Sequence, residues 1–317
     1  METAHDPLDI AAALARVAEA ALASAQAAAE EEFARRHGKI AGGELVVLGL
    51  GRLGGGVLTY ASDLDIVYLF TGSHEAESDG ERPLGATLYF NRLAQRVSAA
   101  LSVPTAEGAL YEVDTRLRPQ GAQGPLAVSL ASFERYQKED AWTWEHMALT
   151  RARALTGGEE TRARVEAILS DVLCREREEG ALKADLLKMR SEMAQHKPAK
   201  GPLDAKLLRG GLVDLEFLVH FLQLRDRKGL SANLEEALAA LPQLADLDGA
   251  HALMTRLLVG TRLLAPDLAI PGEAPQAILA RLCEAEDFAT LTARIVEARQ
   301  QVAARWQDIF GETLELD

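Results

Sequence analysis

Between residues 8 and 36 the chain is rich in alanine, and Leu14, Val17, Ala21 and Leu22 recur at helical spacing. This predicts one long helix, ended by Gly38. A different texture follows. The apolar run ELVVLG at 44–49 predicts a short buried strand, and a glycine-rich turn comes directly after it. LDIVYLF at 64–70, ALYEVDTRLR at 109–118 and PLAVSL at 125–130 have strand composition, with an amphipathic helix expected at 88–101. Past residue 130 the helical period takes over. Helices are expected in 133–155, 160–195, 212–228, 233–242, 248–264, 275–284 and 287–307, broken by turns containing Pro and Gly. The predicted class is α+β, with a small mixed domain over 1–130 and an all-helical bundle domain over 131–317. Residues 197–211 are expected to form an internal loop or lid.

Length and composition narrow the setting. A chain of 317 residues suits one large domain or two ordinary ones, and it has no run of eighteen apolar residues. METAHDP at the start lacks a basic segment leading into an apolar core, so a cytoplasmic protein with no membrane association is expected. Cys174 and Cys283 are too few for a thiolate metal cluster and read as core or partly buried thiols. A net charge of -14 repels nucleic acid unless the basic residues are gathered in one place. A protein or small-molecule substrate is therefore favoured over an RNA or DNA template.

The chemistry concentrates in GLGRLGGGVLTYASDLDIVYLF, residues 49–70. Its glycines superficially match a dinucleotide fingerprint, but a strand bearing two aspartates arrives within ten residues of Gly55, where a Rossmann unit needs a continuing helix. Glycine turns of this density leave backbone N–H groups free to face phosphate, although a purely structural turn gives the same text. Asp63 and Asp65 stand two apart on a strand, so their carboxylates project from one face. Side by side they repel unless divalent cations or solvent offset the cost. On the next strand Glu112, Asp114, Arg116 and Arg118 share a face, which suits cations on one side and phosphates or a charged partner on the other. A solvated edge and a mixed-charge surface strand remain the structural alternatives. Asp63, Asp65 and Asp114 around a pair of Mg²⁺ ions would align a hydroxyl on a nucleotide α-phosphorus and neutralise departing pyrophosphate. Gly54 and Gly55 would fasten the phosphates.

GLGRLGG, SDLDIVYLF, YEVDTRLRPQGAQGPL, WTWEH, ALTRARAL and, later, GGLVDLEFLVHFLQL resemble the glutamine synthetase adenylyltransferase family. The resemblance implies a DNA polymerase β-type nucleotidyltransferase domain followed by the family's helical domain. It implies ATP as substrate, Mg²⁺ as cofactor, glutamine synthetase as partner, and the PII signalling protein and glutamine as regulators. Carried over, the metal-binding carboxylates fall on Asp63, Asp65 and Asp114, and the nucleotide contacts on Gly54, Gly55 and Ser62. Arg52 stands where many relatives have Lys, which keeps the charge, and Tyr60-Ala61-Ser62 departs from the usual polar residues before the aspartates. Family members carry an adenylylating half and an adenylyl-removing half. This chain has the size of one half, and WTWEH resembles the adenylylating, C-terminal one. Transfer of AMP to a tyrosine hydroxyl is the implied reaction. The rivals are phosphorolytic removal of AMP and a catalytically silent module that binds regulatory partners.

Other residues carry weaker signals. Arg116 and Arg118 are candidates for phosphate or partner contacts, or for ion pairs that support the fold. Arg151 and Arg153, two apart on an expected helix, would not share a face. Trp142 and Trp144 read as interdomain core, and His146 as a buried, satisfied histidine or a supporting group with Glu145. Asp214 is expected to anchor the 212–228 helix, while Lys206 and Arg209 could reach a nucleotide or partner.

Overall fold

The computed structural model describes residues 5–316, which combine a small mixed sheet with many helices. They form two compact units. One comprises Ala15–Gly56 and Ser62–Cys174 and holds the sheet; the other comprises the chain up to Leu14, Val57–Ala61 and the chain from Arg175.

Helix α1 (Pro7–His37) has the expected span. Its buried residues Ala11, Ala15, Ala18, Leu22, Gln26, Ala29 and Phe33 recur every three or four positions. Gly38, at φ +69°, ends it, and any side chain there would collide with Asp79 and Gly80. Strand β1 (Leu45–Gly49) is buried throughout and pairs antiparallel with β2 (Leu64–Phe70). The connection contains a single helical turn, α2 (Gly51–Gly54). Helix α3 (Ala86–Ser102) buries Tyr89, Phe90, Leu93, Ala94, Val97 and Leu101, and Phe90 stacks on Phe70 with ring centroids 4.6 Å apart.

The other edge of β2 receives two parallel strands in succession. β3 (Val113–Asp114) pairs with its first residues and β4 (Ala127–Ser129) with its last three. β2 is thus central, and from Ile66 onward it is buried on both faces. Only its head, at Asp63 and Asp65, offers charge to solvent.

Two expectations for this region need correction. The strand expected over 109–118 stops at Asp114, because the next ten residues fold into turns. The helix expected over 133–155 divides into α4 (Leu130–Glu139), α5 (Thr143–Leu149) and a strand, β5 (Arg153–Ala154). β5 lies antiparallel to the outer edge of β1, and Leu155 N donates to Val47 O at 2.8 Å. A division near residue 130 would therefore fall inside the sheet-bearing unit, which runs on through α6 (Glu159–Leu173) to Cys174.

From Arg175 on, the described residues contain helices and loops and no strand. The elements are α7 (Glu179–His196), α8 (Leu212–Asp226), α9 (Leu234–Ala239), a 3-10 turn (Pro242–Leu247), α10 (Asp248–Leu264), α11 (Glu273–Leu282) and α12 (Phe288–Phe310). The single helix expected over 160–195 is two, α6 and α7, because the Glu178 carboxylate caps a new start by accepting from Gly180 N and Ala181 N. α8 is buried nearly all round, a wider apolar surface than its expected stripe, and it packs on α7, α9, α10 and α12. Residues 197–211 form a loop stitched to this unit. The Asp204 carboxylate accepts from the N–H groups of Lys200, Lys206 and Leu207, and Leu203 is buried. Among the described residues no helix is long and apolar enough to cross a membrane.

Candidate functional site

The parallel pairing of β2 with β3 sets Leu64 opposite Val113 and Asp65 opposite Asp114. Residues in register on adjacent strands point to the same side, roughly 5 Å apart. Asp63, two residues before Asp65, joins them, and ligand oxygens of all three carboxylates lie within 4.8 Å of one another. All three belong to the sheet-bearing unit. Such crowding of like charge is unfavourable unless cations offset it.

One cation is supplied by the chain. Asp114 closes a turn by accepting from Arg116 N at 2.9 Å. The Arg116 side chain then folds back on the same carboxylate, with Nε 3.0 Å from Oδ1 and 2.9 Å from Oδ2, and Nη2 also donating to Oδ2. These hydrogen bonds hold the Asp114 carboxyl below its ordinary value of 3.8, against an opposing effect of partial burial. They also hold the Arg116 guanidinium above its ordinary value, with the charges of Asp63 and Asp65 adding to the effect.

The glycine turn is built against this cluster. Leu50 N donates to Asp65 O at 2.9 Å, which locks the start of α2 to β2. Gly51 has φ +54°, and a Cβ there would lie 2.7 Å from Asp65 Oδ2. At Gly54 a Cβ would run into Arg151 O. The expectation that the N–H groups of Gly54 and Gly55 face phosphate needs correction: they donate to Leu50 O at 2.9 Å and Gly51 O at 3.1 Å. What Gly51 and Gly54 contribute here is close approach of backbone. Ser62 sits in the irregular segment just ahead of Asp63. Gly51 carried no role in the expected site, although its place directly after a buried strand was a usable signal.

The sequence model of the family described as glutamate-ammonia ligase adenylyltransferase matches residues 3–168, which contain every residue of this cluster. The chain belongs to that family. Among its relatives, the bifunctional glutamine synthetase adenylyltransferase/adenylyl-removing enzyme of Brucella suis biovar 1 (strain 1330) is 41% identical over 313 residues, covering 94% of this chain and 32% of the relative. The enzyme of the same name from Rhizobium meliloti (strain 1021) is 40% identical over 294 residues, covering 88% and 30%. That of Bradyrhizobium sp. (strain BTAi1 / ATCC BAA-1182) is 38% identical over 319 residues, covering 95% and 32%. The chain spans about a third of the length of these curated relatives.

Several side chains of this adenylyltransferase-family chain lie elsewhere than expected. Arg118 does not share a strand face with Arg116. Its Nη1 donates to Thr115 O at 2.8 Å and its Nε to Pro125 O at 3.1 Å, so it staples the 115–125 loop. Arg153 lies on β5, with Nε donating to Gly54 O at 3.2 Å and Nη2 paired with Glu19. Trp142 and Trp144 are not core: they are 70% and 43% exposed. His146 is buried and satisfied, its Nε2 donating to Gln137 O at 2.9 Å, and the Glu145 carboxylate caps α5 by accepting from Trp142 N. In the helical unit Asp214 accepts from Arg190 Nε at 2.6 Å and Gly210 N at 2.7 Å, the structural anchor expected of it. Cys174 is exposed, and burial pushes the Cys283 thiol up to about 12.

Proposed function

We propose that this chain is a Mg²⁺-dependent adenylyltransferase that moves AMP from ATP to a tyrosine hydroxyl of glutamine synthetase, releasing pyrophosphate. The observation that carries the reading is the convergence of Asp63, Asp65 and Asp114 beside the α2 turn, in a chain of this family. We assign the sheet-bearing unit to the polymerase β-type nucleotidyltransferase fold and the residues from Arg175 to the accompanying helical bundle. The protein is read as acting in the cytoplasm, with glutamine synthetase as its macromolecular partner and the PII protein and glutamine as its regulators.

The donor set fits the proposed ion. Three carboxylates at the ends of two paired strands offer only hard oxygen ligands, the donor type that Mg²⁺ takes. When bound, Mg²⁺ would lower the pKa of the attacking hydroxyl and offset charge on the triphosphate. Asp63 and Asp65 project from one end of a strand whose remainder is buried, so their positions are fixed before substrate arrives. Asp65 is further fixed by the hydrogen bond from Leu50 N to its carbonyl. The tyrosine oxygen forms a bond to the α-phosphorus, the bond from that phosphorus to the β-phosphate bridge oxygen breaks, and the hydroxyl proton passes to solvent.

The names of the relatives pair adenylyl transfer with adenylyl removal, and this chain spans about a third of their length. Phosphorolysis of AMP from modified glutamine synthetase, yielding ADP, is therefore the second reading. WTWEH, at Trp142–His146, favours the transferring direction by its resemblance to the C-terminal half. Product analysis separates the two. With unmodified synthetase and MgATP, pyrophosphate release is expected. Phosphate-dependent ADP release from modified synthetase would instead assign removal, and neither product would favour a silent binding module.

A further inference from the structure

A carboxylate offers about four lone-pair positions. Asp114 meets three N–H groups of one residue: Arg116 N on Oδ1, Nε forked between Oδ1 and Oδ2, and Nη2 on Oδ2. A divalent ion approaching Asp114 therefore competes with this guanidinium for both carboxylate oxygens. Departure is sterically open, because the Arg116 side chain is 80% exposed while that of Asp114 is only 14% exposed. The two ends of this pair thus differ: the carboxylate is held by its strand, and the guanidinium hangs from a turn.

The charge arrangement gives the guanidinium somewhere to go. The positive charge of Arg116 offsets part of the negative charge of the three-carboxylate cluster, the electrostatic work a bound cation also does. Once an ion sits among the carboxylates that work is done by the ion, and the planar fork of arginine matches phosphate oxygens as well as it matches a carboxylate. The spacing in Asp114-Thr-Arg116 keeps it within reach throughout.

We propose that Arg116 is an exchangeable resident cation: it occupies Asp114 until a divalent ion displaces it, and the displaced guanidinium then binds the polyphosphate of the nucleotide. Metal and nucleotide binding are thereby coupled through one side chain, and the acidic cluster is kept neutralised between turnovers. The proposal rests on the nucleotidyltransferase reading above. It makes Arg116 a positioning residue for the metal and a contact for the nucleotide, with opposite effects on the two affinities.

The test is binding, read without turnover. Mn²⁺ alone is titrated into the whole chain and free Mn²⁺ is followed by electron paramagnetic resonance, for wild type, R116Q, R116K and D63N/D65N. Binding of α,β-methylene-ATP is then measured at saturating Mn²⁺ and in EDTA. Removing the competing guanidinium is expected to tighten Mn²⁺ binding by R116Q roughly three- to tenfold, the scale of an exposed charge-assisted pair. Nucleotide affinity at saturating Mn²⁺ is expected to fall by roughly tenfold, with little change in EDTA, and R116K should be intermediate because ammonium cannot fork. A merely structural role would weaken both ligands together. Equal or weaker Mn²⁺ binding by R116Q overturns the exchange while leaving the site intact, provided wild-type binding is lost in D63N/D65N. Wild-type Mn²⁺ binding that is unaffected in D63N/D65N overturns the nucleotidyltransferase reading and the exchange with it.

Discussion

At the residue scale, close approach of backbone explains why α2 tolerates so few side chains. Gly54 meets the carbonyl of Arg151, which lies two residues ahead of β5, the strand that closes the sheet edge. Gly54→Ala must therefore push α2 away from that segment, and a buried overpacking of this kind is expected to cost roughly 2–3 kcal/mol. Urea denaturation of the variant checks it, and an unchanged midpoint would show that the turn yields. The role of Gly54 was legible only in part. GLGRLGG announced a tight turn beside a strand, but nothing local to it reveals that its N–H groups are consumed inside the turn or that residue 151 lies against it. The three aspartates were legible because strand periodicity is local: two positions apart means one face, and Asp114 needed only one parallel pairing to join them.

At the element scale, the ends of elements were harder to read than their existence. β3 stops because Asp114 accepts from Arg116 N, Arg118 gathers the carbonyls of Thr115 and Pro125, and Gln120 adopts φ +62°. The RPQG text at 118–121 is a turn signal that strand composition around it obscured. β5 went unread for the opposite reason: Ala152 and Ala154 alternate with arginines over too few residues to stand out from neighbouring helices, and the pairing with β1 is long-range. In the helical unit, α7 and α8 are joined by the buried pair Arg190–Asp214, 2% and 0% exposed, with Arg209 3.8 Å from the same carboxylate. Asp214→Ala leaves buried guanidinium unpaired and is expected to cost about 3–5 kcal/mol. Replacing both partners, as R190M/D214L, should cost less than either single change. Chemical denaturation of the three variants decides it; a loss in the double variant equal to the sum of the single losses would show that the two side chains act independently.

At the scale of the whole molecule, a chain carrying -14 has its arginines deployed on particular carboxylates. Asp6 with Arg256, Asp114 with Arg116 and Asp246 with Arg305 each have a carboxyl held below its ordinary value of 3.8, first of all by the side-chain hydrogen bond from the arginine. A depressed folded value means that the stabilisation is present above 3.8 and is lost as pH falls through the folded values. Melting temperature should therefore hold steady down to about pH 5 and drop below about pH 4, more gently in R305Q. A melt series that stays flat to pH 3 would contradict that linkage. The most direct test of the proposed activity is the intact mass of purified glutamine synthetase after incubation with this chain, ATP and Mg²⁺, with D63N/D65N in parallel. A gain of one AMP per modified subunit is expected with the wild-type chain, reduced roughly 10²- to 10³-fold in rate by the double variant. An unchanged mass with the wild-type chain, or the same gain with the variant, would contradict the assignment of AMP transfer to these aspartates.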